Sequence, residues 1–297
     1  MSNHDNTAGG RVSRRRFIRR AAGVMLGGGS GALVYAWRVE PHWVCIVQRE
    51  LPIAKLPSAL DGARLVQISD LHVGPVVDTD YITAAVKDAA DLKPDLVAIT
   101  GDFMTCRGTE QVESVLRVVE PLASAPLGAI AIPGNHDYGR SFSRDDAVNA
   151  LCTRLAGVGV QMLRNEILDV RGLSIGGIDD LWGTNFAPQR VMPLLAAAPS
   201  SLVLCHNPDA ADLSVWSGWR GWILAGHTHG GQCCAPLFGP PILPVKNKRY
   251  TAGEFDLHDG RKMYINPGLG YLRRVRFNQR PEITEFTLAP DRSAQPS

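Results

Sequence analysis

Asp, His and Asn side chains gather at five places along the chain: Asp70-Leu71-His72, Gly101-Asp102, Gly134-Asn135-His136-Asp137, His206, and Gly226-His227-Thr228-His229. Carboxylate oxygen and imidazole nitrogen are the donors that borderline divalent cations take. The set holds more ligands than one tetrahedral ion uses, which points to two ions sharing a carboxylate. Such a pair activates water and clamps the entering and leaving oxygens of a displacement, so a phosphate ester is the natural target. Singly the groups say little, because Asp-x-His, Gly-Asp and His-x-His recur by chance. Their order and their common setting carry the meaning.

That setting is the end of a buried strand. Arg64-Leu65-Val66-Gln67-Ile68 precedes Asp70, Leu96-Val97-Ala98-Ile99 precedes Asp102, and Gly128-Ala129-Ile130-Ala131-Ile132 precedes Asn135. Ser201-Leu202-Val203-Leu204-Cys205 leads to His206, and Trp222-Ile223-Leu224-Ala225 to His227. Short apolar runs with ligands at their ends describe a site assembled on strand ends. Between them, Ile82, Ala85, Val86 and Ala89, then Val112, Val115, Leu116 and Val119, recur with helical spacing, which predicts amphipathic helices. Strand, ligand loop and helix in alternation is an α/β pattern. With the backbone extended through Asp70 and His72, alternate side chains share a side and reach one ion. Gly134 lets the chain turn where a Cβ would crowd an ion. Asp137 either orients an imidazole or caps the turn.

The rest of the chain supports further expectations. Residues 44–53 alternate as an edge strand. Ser143 and Asp146 have capping-box spacing ahead of a helix through Leu151 and Leu155. Residues 159–163, 167–170 and 173–178 are expected as strands of a second sheet, and residues 185–198 as a helix disrupted at Pro193. Pro208 is placed to begin a helix after His206. Trp182, Asn185 and Phe186 either line a substrate lip or pack in the core, and Trp216, Trp219 and Trp222 form one apolar patch if helical. Residues 233–247, rich in Pro and Gly, are expected as a long loop over the active face. The basic run Lys246, Lys248 and Arg249 faces either solvent or an anionic substrate. Residues 262–265, 274–277 and 283–288 are the expected closing strands.

In order, Asp-x-His, Gly-Asp, Gly-Asn-His-Asp, His and Gly-His-Thr-His resemble the motifs of the calcineurin-like metallophosphoesterase superfamily, from about Leu65 to Gly270. Gly-His-Thr-His-Gly-Gly-Gln resembles its small bacterial exported phosphodiesterase branch. The resemblance implies a four-layer αββα sandwich with two divalent metal ions, Mn, Fe or Zn. It implies that Asp70, His72 and His229 hold the first ion with Asp102 bridging, and that Asp102, Asn135, His206 and His227 hold the second, Asn135 through its amide oxygen. His136 would lie by the phosphoryl group, to stabilise it or protonate the leaving oxygen. The acidic turn Asp179-Asp180 would flank the site without supplying a ligand, and residues 266–270 would close the metal cleft.

Composition bounds the partners. The 297 residues, 45% of hydrophobic types, suffice for one sizeable core without demanding two domains. The net charge of +2 conceals a divide: residues 1–20 hold six Arg against one Asp, or +5, which leaves −3 for the remainder. A mildly acidic body argues against nucleic acid as a partner. Ser13-Arg14-Arg15-Arg16-Phe17-Ile18-Arg19, followed by apolar, Gly-rich Ala21 to Trp37, resembles a twin-arginine export signal, cleaved or kept as an anchor. The expected organisation is a signal or membrane anchor over 1–43, one metallophosphoesterase domain over 44–289 and a disordered tail over 290–297. The twin-arginine export machinery and a membrane are expected partners of a monomer in the periplasm or on the outer face of the cytoplasmic membrane. The cysteines lack Cys-x-x-Cys spacing for structural zinc, and the vicinal pair Cys233 and Cys234 is a candidate, if strained, disulfide.

These features point to a metal-dependent hydrolase of phosphoester bonds, using a hydroxide bridged by the two ions. The expected substrate is a phosphodiester of an envelope or lipid-like molecule. The alternatives are a phosphomonoesterase or nuclease of the same superfamily, or a non-catalytic metal-binding envelope protein. Loss of a ligand or of His136 would mark the last, and none is missing.

Overall fold

Alternate residues of the central strands face different interiors, and this alternation stacks the chain into layers. The computed structural model describes residue 15, residues 29–105 and residues 108–292. Its strands are β1 (Cys45–Ile53), β2 (Arg64–Ile68), β3 (Leu96–Thr100), β4 (Ala129–Ile132), β5 (Val160–Met162), β6 (Glu166–Val170), β7 (Leu173–Ile178), β8 (Ser201–Cys205), β9 (Gly221–Ala225), β10 (Gly253–Asp256), β11 (Arg261–Ile265) and β12 (Glu282–Pro290). They pair into two six-stranded sheets, β1-β12-β2-β3-β4-β5 and β10-β11-β9-β8-β7-β6. Val66, Ile68, Val97, Ile99, Ala129 and Ala131 face the helices. Leu65, Leu96, Ala98, Ile130 and Ile132 meet Leu202, Leu204, Trp222 and Leu224 between the sheets. Val203, Cys205, Ile223 and Ala225 face outward to Met192, Leu195, Trp216 and Trp219. The product is an α/β sandwich of four layers, whose central strands are apolar on both faces because both are buried.

The helices follow from local chemistry. Asp78 caps the helix Thr79–Asp91, its carboxylate accepting the Tyr81 N–H at 3.0 Å, a contact worth about 1 kcal/mol. That helix buries Ile82, Ala85, Val86 and Ala89 against the first sheet. The helices Val112–Val119 and Asp145–Gly157 bury Val115, Val119, Leu151 and Leu155 on the same face. Strands β2, β3 and β4 are parallel neighbours, as are β8 and β9. The C-terminal ends of the five strands therefore deliver their loops to one edge of the sandwich.

Several expectations need correction. Strand β5 pairs with β4, so it belongs to the first sheet, with Val160 and Met162 turned to the helices. The helix Asp145–Gly157 begins after Arg144 without a side-chain cap, while Ser143 bonds Ser141 at 2.8 Å. Pro193 sits in the first turn of the helix Met192–Ala197, where its missing N–H is harmless, so it starts that helix. Residues 274–277 form no strand; Phe277 makes a single bridge to Cys233. Trp222 lies between the sheets, whereas Trp216 and Trp219 pack on the outer face of the second, so the three share no patch. Cys233 and Cys234 are free thiols.

The membrane anchor is also corrected. Among the described residues no helix is long and apolar enough to cross a membrane. Residues 29–34 are helical and run into the turns Tyr35–Val39 and Glu40–His42, which dock on the protein through buried Ala36, Glu40 and Pro41. Arg276 donates its backbone N–H to the Ala36 carbonyl at 2.9 Å, and Gln279 donates to Glu40 Oε1 at 2.6 Å. Membrane association, the export machinery as partner and an outer-face location held by the anchor are set aside with it. Of the arginine-rich stretch 13–19, only Arg15 lies within the described residues.

Candidate metal centre

The loops after β2, β3, β4, β8 and β9 bring the five sequence groups together. Asp70 (φ 53°), His72 (49°), Asp102 (54°), His227 (73°) and His229 (51°) all adopt the left-handed backbone region. For a residue with a Cβ that region costs about 1–3 kcal/mol, and such strain collects where function demands a particular direction. The kinks replace the strand alternation expected for Asp70 and His72. They also turn His227 and His229, two residues apart, toward different neighbours.

Two clusters result. Ligand atoms of Asp70, His72 and His229 lie within 4.8 Å of one another, as do those of Asp102, His206 and His227, and all six residues are buried. In the first, His72 Nε2 is 3.1 Å from His229 Nε2, and Asp70 Oδ1 is 3.4 Å from His229 Nε2. Asp102 stands between the clusters. Its Oδ2 is 3.5 Å from His72 Nε2 and 3.3 Å from His206 Nε2, while its Oδ1 accepts the His136 backbone N–H at 2.8 Å.

Electrostatics suits the clusters to cations. Burial drives the His72 and His227 imidazoles down to about 3 and His229 well below its ordinary value, leaving neutral rings with lone pairs. Burial raises the Asp70 carboxyl to about 6, with His206 pulling it down and Asp102 pushing it up. Burial would also raise Asp102, but His206, His136 and His72 outweigh it and hold this carboxyl well below its usual range. His206 is the converse: burial would lower it, yet Asp102 raises it well above. Hydrogen bonds select the free nitrogens. His206 Nδ1 is 2.6 Å from the Thr100 carbonyl, and His227 Nε2 is 3.0 Å from the Pro244 carbonyl, so each ring donates there and keeps its other nitrogen for a ligand.

The Gly134-Asn135-His136-Asp137 turn lies against Asp102. Asn135 is buried with neither amide atom hydrogen-bonded to protein, a loss of about 1–3 kcal/mol per group unless a ligand meets it. Asp137 proves to cap the turn: its carboxylate accepts the Gly134 N–H at 2.9 Å and the Met104 N–H at 3.1 Å. His136 is half-buried, belongs to neither cluster, and sets its ring edge against His72 with centroids 5.0 Å apart.

Other residues brace the centre. Arg276, fully buried, donates to the carbonyls of Pro267 (3.0 Å), Gly268 (3.1 Å), Gly270 (2.7 Å) and Gln279 (3.2 Å). It thereby holds the 266–270 loop, whose Gly270 N–H bonds the Asp70 carbonyl at 2.7 Å. Sequence reasoning passed over Arg276, which stands with Arg273 and Arg274 in a basic stretch after a Pro-Gly-Leu-Gly loop, so no signal singled it out. Asp209 accepts the Lys246 and Asn247 N–H groups, pinning the long loop that reaches His227 through Pro244. Lys248 folds back onto the carbonyls of Leu243 and Val245, so it braces that loop. Trp182 packs edge-on to His227, centroids 4.6 Å apart, and Asp180 accepts its backbone N–H at 2.8 Å. Asn185 donates to Asp179 at 2.9 Å and Phe186 packs against the outer core. A cavity of about 540 Å³ between Pro52 and Trp219 contains none of these residues.

Comparison with known proteins agrees with the chemistry of this centre. A family profile described as calcineurin-like phosphoesterase matches residues 63–238. An uncharacterized metallophosphoesterase of Bacillus subtilis, YkuE, is 32% identical, with 94% of this chain and 98% of the relative covered. The phosphodiesterase YaeI of Escherichia coli is also 32% identical, with 93% and 99% covered. The UDP-2,3-diacylglucosamine pyrophosphatase LpxG of Chlamydia trachomatis is 27% identical, with 84% and 91% covered.

Proposed function

This chain belongs to the calcineurin-like phosphoesterase family, metal-dependent hydrolases of phosphoester bonds with a dinuclear site, and we propose that its substrate is a phosphodiester bearing a lipid-like substituent. One observation carries the dinuclear chemistry: Asp102 Oδ2 lies within 3.5 Å of ring nitrogens from both ligand clusters. The donor set fits two divalent cations, because neutral imidazoles, buried carboxylates and an amide without protein partners otherwise face one another. Asp70, His72 and His229 would hold one ion and Asn135, His206 and His227 the other, with Asp102 touching both. When bound, such ions supply Lewis acidity and activated water.

The chain's own residues do the rest. His136, half-buried beside His72 and held through its backbone by Asp102, is placed to give a proton to the departing oxygen. Two relatives support a disubstituted phosphorus, one named a phosphodiesterase and one a pyrophosphatase of a diacylated sugar nucleotide. Exposed Leu237, Phe238 and Ile242, on the loop that reaches His227, supply apolar surface for such a substituent. The test is turnover of matched mono- and diesters by metal-loaded protein, before and after chelation. The expected result is a preference for diesters of about tenfold or more in kcat/KM, abolished by chelator and restored by metal. A preference for monoesters, or turnover indifferent to chelator, would refute the proposal.

A further inference from the structure

Two rings, Phe142 and Trp182, close the gap between His136 on one side of the centre and His227 on the other. His136 meets Phe142 edge to face at 5.8 Å, Phe142 meets Trp182 at 5.7 Å, and Trp182 meets His227 at 4.6 Å. We propose that Phe142 and Trp182 form the subsite that selects a flat aromatic or apolar substituent on the phosphorus. This inference rests on the phosphodiesterase reading and assigns it a specificity determinant.

Neither ring behaves as core. Both are only part-buried, whereas Phe103, Tyr138, Tyr250, Tyr264 and Phe286 are fully enclosed. The indoles of Trp216, Trp219 and Trp222 each donate Nε1–H to a protein oxygen. Among the described residues the Trp182 indole has no such bond, so its polar edge stays available. Phe142 holds a left-handed backbone (φ 54°), a strained conformation for a bulky residue that fixes the direction of its ring at the turn.

The two rings are also fixed relative to each other. Phe142 N–H bonds the Gly139 carbonyl at 3.0 Å, closing a turn that starts beside Tyr138. The Tyr138 hydroxyl donates to Asp179, which accepts Arg164 Nε–H at 2.8 Å, while Arg164 also donates to the Tyr138 hydroxyl at 2.9 Å. Next to Asp179, Asp180 accepts the Trp182 N–H at 2.8 Å. A buried polar brace thus ties the turn bearing Phe142 to the turn bearing Trp182. Preorganised aromatic faces bind flat groups without ordering many rotors, and face or edge contacts between rings are favoured at these separations.

Calorimetric binding of phenylphosphonate and methylphosphonate to the metal-loaded protein tests the assignment. Both present the same phosphoryl head to the centre and differ in the substituent alone. The unchanged protein should favour phenyl over methyl by about tenfold, and Trp182→Ala or Phe142→Ala should cut that ratio to about twofold. Methylphosphonate affinity and metal content should hold, and Trp182→Phe should restore most of the preference. A ratio unaltered in both alanine variants would overturn the subsite. So would loss of both ligands together with metal, which would mean that Trp182 merely props His227. Failure of the unchanged protein to bind either phosphonate, or to turn over any diester, would strike the phosphodiesterase reading beneath it.

Discussion

A methyl group added at Gly134 should dismantle the metal centre without touching a ligand. The Gly134 backbone has φ −110°, which alanine adopts freely, so the effect is steric alone. A Cβ there would lie 2.8 Å from Asp102 Cγ, and closer still to Asp102 Oδ1 and its backbone nitrogen. Ordinary carbon contacts sit near 3.5–4.0 Å, so the two loops must part by roughly 1 Å. A side-chain rotation does not relieve this, because a main-chain atom is among those struck. Overpacking of this kind costs about 1–3 kcal/mol of stability. Metal bonds hold only to about 0.2 Å, so Asp102 loses its place between the clusters and the Asp102–His136 hydrogen bond opens. A 1 Å displacement of reacting groups lowers turnover by about 10²-fold. Metal content after dialysis and kcat/KM on an aryl diester would be read for Gly134→Ala beside Gly157→Ala, whose Cβ meets open space. The control should be near neutral. Full metal content and an unchanged rate for Gly134→Ala would refute the packing argument.

His136→Ala should keep both ions and lose about 10²- to 10⁴-fold in rate, more on alkyl than on aryl diesters, whose departing oxygen needs less protonation; equal loss on both would move His136 from proton donor to phosphoryl binder. Asp180 supplies a pH test in the metal-free protein. Burial pushes its carboxyl from 3.8 up to about 7, with Asp102 adding and His206 opposing. The folded state therefore keeps a proton that the unfolded chain sheds, and stability falls as pH rises from 3.8 to about 7. Asp180→Asn removes that loss, so denaturant unfolding should show its advantage growing with pH to at most about 4 kcal/mol above neutrality. An advantage independent of pH would contradict the assigned cause. Arg276→Met should loosen the 266–270 loop against Asp70 and weaken metal retention, read as faster loss of metal to chelator; unchanged retention would make Arg276 a core residue only.

The five strands that lead to the ligand groups were legible because burial on both faces demands apolar runs, and because Asp, His and Asn seldom end such runs together. The left-handed backbones of Asp70, His72 and Asp102 were not legible, since Asp and His favour that region only weakly and mostly adopt other conformations. Sheet membership of β5 depends on pairing with β4, a contact between segments that sequence spacing leaves open. Arg276 looked like part of a strand because its partners are main-chain carbonyls, which leave no mark in side-chain composition. The stretch 21–37 misled because its composition is that of a short span, whereas its described end passes into turns that dock through Ala36, Glu40 and Pro41. Phe142 and Trp182 lie forty residues apart in sequence, and their ring contact depends on turns tied together by Tyr138, Asp179 and Arg164.

The central claim is that one carboxylate, Asp102, joins two cation sites. Anomalous diffraction from metal-soaked crystals of the unchanged and Asp102→Asn proteins, with metal content measured on the same samples, tests it most directly. The account predicts two peaks in the unchanged protein, one among Asp70, His72 and His229 and one among Asn135, His206 and His227, with Asp102 contacting both. It predicts loss of at least one peak in Asp102→Asn. A single peak in the fully active unchanged protein, or two undiminished peaks in the variant, would contradict it.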